Sequence, residues 1–508
     1  MTLKKELIVS LFTQWYNRQK EREVCYMGIK GKTTFELTDV NTGEVEVIED
    51  SNMITNALQE FLTTYGYFGC DILYTDDIRN NSLWINLLSG LFLFDTALDE
   101  DVNNTFMPAG VKMIGNGSKD VSNSGTVTEL GSYNTVESGT QSDGSIKLVY
   151  DFNTAQANGT IACACLTSKI GGYIGMGNDS NRYYNESYDL AKFVHYNDNY
   201  ICYSNIPGAG NDTSHILYPV YNENAIYFTN PYNIKYSSSQ ASQHWSTTKK
   251  IQILKVRAGF TGVSIKDRKY LDKVIETYDV DIPQDILDYM GTSTGYIIIS
   301  RDSERNVYII FNKSSLNRLD AGAFCWIMKI DKDMNATSYK FTNNVGKALR
   351  LGTDYSKYIT FDGDYLWIYS DSSPYYLYGI KYTDSTQIIE TGVNKDNIYN
   401  LYTVGKNLIG IYDVYFNSGK YYAPTVYDVV NRTHRRVNGM MSGYGYYLSV
   451  PFPDKKGVYL WINKDSTPCT LKVMKDPRYL ATINNLSKPV VKTSSKTMKV
   501  TYTLTFEG

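Results

Sequence analysis

Histidine is nearly missing from this chain, with 4 in 508 residues. The four, His195, His215, His244 and His434, show no HExxH or HxH spacing, which removes the common histidine-based metal patterns and leaves structural roles. Cysteine is also sparse. Cys25, Cys70, Cys163, Cys165, Cys202, Cys325 and Cys469 are odd in number and irregular in spacing, so neither a disulfide framework nor a zinc site is expected. Cys163 and Cys165 flank one residue and share one face of a strand, where a direct bridge would be strained; buried free thiols fit better. No segment approaches the roughly 18 apolar residues of a membrane span, so no membrane insertion is expected. Lys4 and Lys5 before Leu7 to Phe12 imitate the start of a signal peptide, but the apolar stretch is short and no small-residue cleavage site follows Trp15 to Arg22. The chain therefore reads as made and assembled in a cytoplasm without export. A net charge of −3 supplies no basic field for nucleic acid.

Catalytic signatures are missing as well. No GxSxG, Walker-type or GxGxxG element occurs. Gly171, Gly172, Gly175 and Gly177 form a glycine-rich run, but no lysine follows as a phosphate loop requires. Asp331, Asp333 and Asn335 imitate the start of an EF-hand loop, yet its sixth and twelfth places hold Ala336 and Thr342. A turn between strands explains those acids better, and the same holds for Asp362, Asp364 and Asp371. No cofactor, no metal and no enzyme activity are expected.

Tyrosine is what the chain has in abundance: 46, against 18 phenylalanines. Its large apolar ring and hydroxyl suit half-buried strands and wet contact surfaces. It recurs in short alternating runs, such as Tyr365-Leu366-Trp367-Ile368-Tyr369 and Tyr375-Tyr376-Leu377-Tyr378. With 42% hydrophobic and 20% charged residues, the chain can bury sizeable cores. Its length exceeds one core and predicts about two to four domains. The expected class is mainly β, and the composition favours binding and assembly over group-transfer chemistry.

The periodicity divides the chain. Leu3, Leu7, Ile8, Leu11, Phe12, Trp15 and Tyr16 form a helical stripe, an amphipathic segment within residues 1–24. Such a helix packs on its own domain or docks on a partner subunit. A hairpin follows, with Phe35 and Leu37, a turn at Asn41-Thr42-Gly43, then Val45 and Val47. Ile54, Ala57, Leu58, Phe61 and Leu62 predict a short helix capped by Ser51 or Asn52. Residues 83–94 are the most apolar stretch and read as core. Residues 116–144 read as loops or exposed strands. Ser145 to Phe152 and Gly159 to Thr167 predict a second hairpin.

From about residue 190 the texture changes. Tyr296 to Phe311, Tyr358 to Tyr369, Tyr402 to Tyr412 and Tyr446 to Trp461 each give a strand, a polar turn and a second strand, with a further strand or two after each. The units lie roughly 45 to 60 residues apart, near the blade length of a propeller. An upstream unit around His195 to Phe228 suggests five or more blades over 190–487; a series of β-sandwiches is the alternative. At the end, Met498, Val500, Tyr502, Leu504 and Phe506 alternate with Lys499, Thr501, Thr503 and Thr505. This strand, within 490–508, is expected to return to a sandwich-like anchor over 25–185, leaving the propeller-like region as an insertion.

Phe35 to Glu44 running into Asn52 to Leu58, with Asn158 to Cys165 and the ending Lys496 to Leu504, resembles tail proteins of phages that infect Gram-positive, clostridia-like bacteria. The resemblance covers roughly residues 25–170 and the last fifteen. It implies a virion protein of the tail or baseplate whose ends fasten to the particle and whose middle faces the host. Other tail or baseplate proteins, copies of the same chain and host cell-wall glycan are then the expected partners. Leu7, Leu11, Trp15, Val500, Tyr502 and Leu504 are the candidate assembly residues. Trp367, Tyr375, Tyr376, Tyr421 and Tyr422 are candidate sugar platforms. Arg435 and Arg436, in a basic cluster with Arg432 and His434, suit an anionic glycan such as a teichoic acid, or else a charged edge that blocks strand pairing. A purely structural neck, collar or baseplate protein, and a glycan depolymerase, are the alternatives.

Overall fold

The computed structural model describes residues 28–57, 87–119, 127–174, 216–229, 248–257, 274–293, 295–314, 317–351, 358–372, 374–395, 398–413, 425–435, 447–463, 470–475 and 478–507. The stripe carrying Leu7, Leu11 and Trp15 lies outside them. The fold is mainly β: a nearly closed barrel-like sheet and a propeller-like ring of small sheets.

The barrel draws on both ends of the chain. Its strands are β1 (Gly28–Asp39), β2 (Val45–Ile54), β3 (Gly90–Phe94), β4 (Met113–Ser118), β5 (Ser132–Tyr133), β6 (Gly139–Thr140), β7 (Ile146–Phe152) and β8 (Gly159–Thr167), with β30 (Thr482–Lys492) and β31 (Lys496–Glu507) from the far end. They run in the order β4-β3-β8-β30-β2-β1-β31-β7-β5, and β6 pairs with β7. Closure is nearly complete, because the Asn116 N–H donates to the Glu129 carbonyl and the Gly131 N–H to the Asn116 carbonyl.

The terminal strand β31 lies between β1 and β7, as its alternation predicts. Antiparallel pairing with β1 runs from Gly28↔Glu507 to Asp39↔Lys496. Met498, Val500, Tyr502 and Leu504 are buried with Phe35, Leu37, Leu148, Tyr150 and Phe152 in one cluster. Opposed side chains such as Phe35 and Val500 share the inner face, which is what register fixes.

Two local expectations fail. Ser51 and Asn52 do not cap a helix: β2 continues to Ile54, because Met53 and Ile54 find ladder partners in Ile483 and Thr482. Strands β7 and β8 do not form a hairpin. β7 pairs with β31, β5 and β6, while β8 pairs with β3 and β30, so both flanks of each are taken by partners from elsewhere in the chain. The expectation for Cys163 and Cys165 holds: both are free and buried, with sulfurs 3.7 Å apart.

The ring is inserted between β8 and β30. Blade 1 holds β9 (Ile216–Val220), β10 (Ala225–Thr229), β11 (Lys250–Arg257) and β12 (Val274–Asp281). Helix α1 (Gln284–Met290) follows. Blade 2 holds β13 (Tyr296–Arg301), β14 (Val307–Asn312), β16 (Phe324–Ile330) and β17 (Ala336–Thr342). A two-stranded ribbon beside it pairs β15 (Arg318–Leu319) with β18 (Leu349–Arg350). Blade 3 holds β19 (Ile359–Asp362), β20 (Tyr365–Tyr369), β21 (Tyr375–Lys381) and β22 (Ile388–Lys395). Blade 4 holds β23 (Ile398–Gly405), β24 (Leu408–Asp413), β25 (Thr425–Asp428) and β26 (Thr433–Arg435). Blade 5 has three strands among the described residues, β27 (Tyr447–Pro451), β28 (Val458–Asn463) and β29 (Thr470–Lys475).

Within each blade the strands are antiparallel neighbours in chain order, and the first strands β9, β13, β19, β23 and β27 neighbour one another around the axis, the last beside the first. Cores lie between blades. Tyr308 of blade 2 stacks on Phe361 of blade 3 with centroids 3.9 Å apart. Trp367 of blade 3 meets Tyr427 of blade 4 at 5.6 Å. Ring closure uses the first turns of blades 5 and 1: Asp454 accepts the backbone N–H of Tyr221 at 3.1 Å and of Asn222 at 2.7 Å.

Candidate functional site: the free face of the ring

Antiparallel meanders give the ring two unlike ends. The turn from a blade's first strand to its second, and from its third to its fourth, lie at one end. The turn from second to third and the link to the next blade lie at the other. The first-strand turns do converge: Arg305 pairs with Glu223 at 2.7 Å and Lys406 with Glu304 at 3.4 Å.

That convergent end carries the barrel. Asp428 Oδ2 accepts the Gly110 N–H at 2.8 Å, Phe106 packs against Gly457, and Tyr402 and Leu408 join Phe92, Phe94, Leu98, Met107, Val111 and Met113 in one apolar cluster. The three-stranded fifth blade fits this attachment. A fourth strand would return the chain to the opposite end. Leaving after β29 delivers it to the barrel side, where the Leu480 N–H donates to the Thr105 carbonyl and the Ala481 N–H to the Leu166 carbonyl before β30 begins. The insertion is thus docked rather than merely tethered.

The opposite, distal end is free of the barrel among the described residues. Here β15, β18, α1 and the turn Ser370–Ser372 lie, and β21 begins. Tyr375 and Tyr376, both candidate platforms, are half-buried at that start. The Arg350 guanidinium carbon lies 4.2 Å from the Tyr358 ring centroid and 5.7 Å from that of Tyr375. Lys347 Nζ lies 4.6 Å from the Tyr376 centroid. Tyr289 packs against Phe324 at 5.2 Å, and Lys340 Nζ lies 4.3 Å over the partly exposed Phe324 ring. The face is therefore aromatic and cationic. No sequence pattern singles out Lys347, Arg350 or Tyr358, because they meet the Tyr375 strand only when blades 2 and 3 close together.

The other sequence candidates divide. Trp367 is fully buried in the seam between blades 3 and 4, its ring lying across Gly379, whose absent Cβ leaves the room. It cannot stack on a sugar, and its alternation with Leu366 and Ile368 marks two blade cores instead. Val500, Tyr502 and Leu504 are buried inside the barrel, so they hold the chain's two ends together and offer no surface to another subunit. Arg435 ends β26 at the distal end; its side chain, with Tyr421, Tyr422 and Arg436, lies outside the described residues.

The acids are of two kinds. Asp331 serves its own turn, accepting the N–H groups of Asp333 and Asn335 at 2.9 Å each. Asp302 does likewise with Glu304 and Asn306, and accepts the Tyr308 hydroxyl at 2.9 Å. Asp362 departs from the expected turn role. Gly363, at φ +54°, makes the bend, and the Asp362 side chain is 2% exposed with neither oxygen in a hydrogen bond. Burial pushes its acid up to about 7; the nearby Asn407 backbone N–H is the largest opposing influence, and Asp302 and Glu304 (upward) and Lys406 (downward) contribute less. Trp367 Nε1, Thr403 Oγ1 and Tyr427 Oη are also buried without partners in the same seam. Among the described residues no three His, Cys, Asp or Glu side chains converge to hold a metal ion.

No family model matches this chain, and no curated protein matches it.

Proposed function

We propose that this chain is a virion protein of the tail or baseplate periphery in a phage of Gram-positive, clostridia-like bacteria, and that it recognises host cell-wall glycan. The observation that supports this reading is the one-sided attachment of the ring. The barrel, built from both ends of the chain, occupies one end of the propeller axis. The other end presents Tyr358, Tyr375 and Tyr376 with cations beside them. Tyrosine suits sugar contact, because the apolar face of a sugar rests on the ring while the hydroxyl bonds to it. Single contacts of this kind are weak, and many copies on one particle supply avidity. The barrel, with the segment carrying Leu7, Leu11 and Trp15, would join neighbouring tail proteins or further copies. The test is retention of the purified full chain on intact cells and isolated walls from a panel of clostridia-like strains. Strain-selective retention is expected. Absence of retention on every strain, with the ring buried among other proteins in intact particles, would establish the structural role instead.

A further inference from the structure

Two cations between blades 2 and 3 lack anions among the described residues. Arg318 and Arg350 stand directly opposite each other in the β15–β18 ribbon, where like charges repel. Arg318 is neutralised by Asp320, Nε to Oδ1 at 3.0 Å. Among the described residues Arg350 and Lys347 have no carboxylate partner; each lies against tyrosine instead. Asp371 stands in the adjoining turn, its N–H donating to the Ala348 carbonyl, and makes no ion pair with either cation.

Stacking engages the flat face of a guanidinium and leaves its N–H edges to donate. Arg350 lies over the Tyr358 ring with Tyr375 farther off, so its position is restrained by tyrosine rather than by a carboxylate. Its natural complement is a planar or tetrahedral oxyanion taken through two parallel hydrogen bonds. Lys347, three residues earlier, adds a point charge over Tyr376. Tyr375 and Tyr376 begin one strand and turn to opposite sides of blade 3, so Arg350 and Lys347 flank that strand start, each with a tyrosine ring beside it.

We propose that Arg350 and Lys347, framed by Tyr358, Tyr375 and Tyr376, form a binding site for an anionic saccharide chain, with phosphate or carboxylate groups along the chain meeting one cation each and neighbouring sugar rings against the tyrosines. This rests on reading the chain as a glycan-binding protein and specifies the charge of the glycan.

The test compares the full chain with R350Q and with the R350Q/K347Q pair, thermal midpoints serving to show that the fold is intact. The probes are isolated host walls, the same walls freed of phosphodiester-linked polymers by hydrofluoric acid, poly(glycerol phosphate), polygalacturonate and neutral dextran. Wall binding is expected to fall at least about tenfold in the pair, roughly the loss of one charge-assisted contact. Wild-type binding should weaken in about 1 M salt, where charges screen within about 3 Å. Loss of binding on the stripped walls assigns the anion as phosphate; retention there with competition by polygalacturonate assigns a carboxylate. Equal wall binding by wild type and the pair, or competition by dextran alone, overturns the site. Absence of wall binding by the wild type counts against the host-surface reading, and in that event the two soluble polyanions decide the site: binding that the pair loses upholds it, and no binding overturns it.

Discussion

Replacing Asp362 by asparagine should remove a pH dependence of stability that the wild type carries. The carboxyl is buried in the blade 3–blade 4 seam, and its acid is pushed up to about 7, against an ordinary value of 3.8. The folded state therefore holds the proton more tightly than the unfolded state. The stabilisation is complete below the unfolded value and is lost as pH rises through about 7. Above about pH 5.5 the unfolded group is already ionised. Integrating the folded proton between about pH 5.5 and about pH 8 gives about 1.5 protons × pH units, or about 2 kcal/mol of lost stability. For a body the size of the ring each kcal/mol moves the thermal midpoint by about 2–4 °C, so a wild-type decline of about 4–8 °C is expected. The amide of D362N has no proton to lose, and this part of the decline should vanish. Carboxylates held low, such as Glu223 at about 2, act on the acid side of this window. All other titrating groups are common to both proteins, so the difference isolates Asp362. The assay is thermal unfolding followed by tryptophan fluorescence across this range. A wild type and D362N whose midpoints stay parallel with pH would refute the neutral-acid assignment.

Other outcomes follow from packing. A Cβ added at Gly379 would lie 2.6 Å from the Trp367 ring, so G379A should destabilise the ring by about 1–3 kcal/mol, read by denaturant unfolding. Removing residues 496–508 strips Met498, Val500, Tyr502 and Leu504 from the barrel. At about 1.5–3 kcal/mol per buried side chain the loss is about 6–12 kcal/mol, comparable with a domain's whole stability, and soluble expression of a folded barrel should fail. D428A removes the acceptor for the Gly110, Val430 and Asn431 N–H groups and should weaken docking by about 1–3 kcal/mol, seen as faster proteolysis within residues 95–111.

Much of the architecture is legible in alternation. The terminal strand shows five apolar residues at period two, and a strand with one buried face has its register set by that pattern. The ring is legible as recurrence: strands at Tyr296, Ile359, Ile398 and Tyr447 begin within a few residues of the expected units. What fails depends on partners distant in sequence. The β7–β8 hairpin is locally reasonable, but β31 and β30 arrive from the far end and take both strands. Trp367 looks like a platform because alternation cannot tell an exposed face from a second buried one. Asp362 looks like a turn acid because it stands beside Gly363 and Asp364, but Gly363 already supplies the bend and frees the carboxyl for the seam. Of the distal site, Tyr375 and Tyr376 are visible in the tyrosine run, whereas Arg350 and Lys347 become part of it through a connector between blades.

The claim on which the account turns is that binding uses the ring end facing away from the barrel. Inserting a small folded tag after Ser372, in an exposed distal turn, and separately after Asp333, in an exposed turn at the barrel end, tests it in the full chain. The account predicts that the tag at Ser372 abolishes retention on host walls while the tag at Asp333 leaves it unchanged. Retention that survives the first tag and is lost with the second would contradict it.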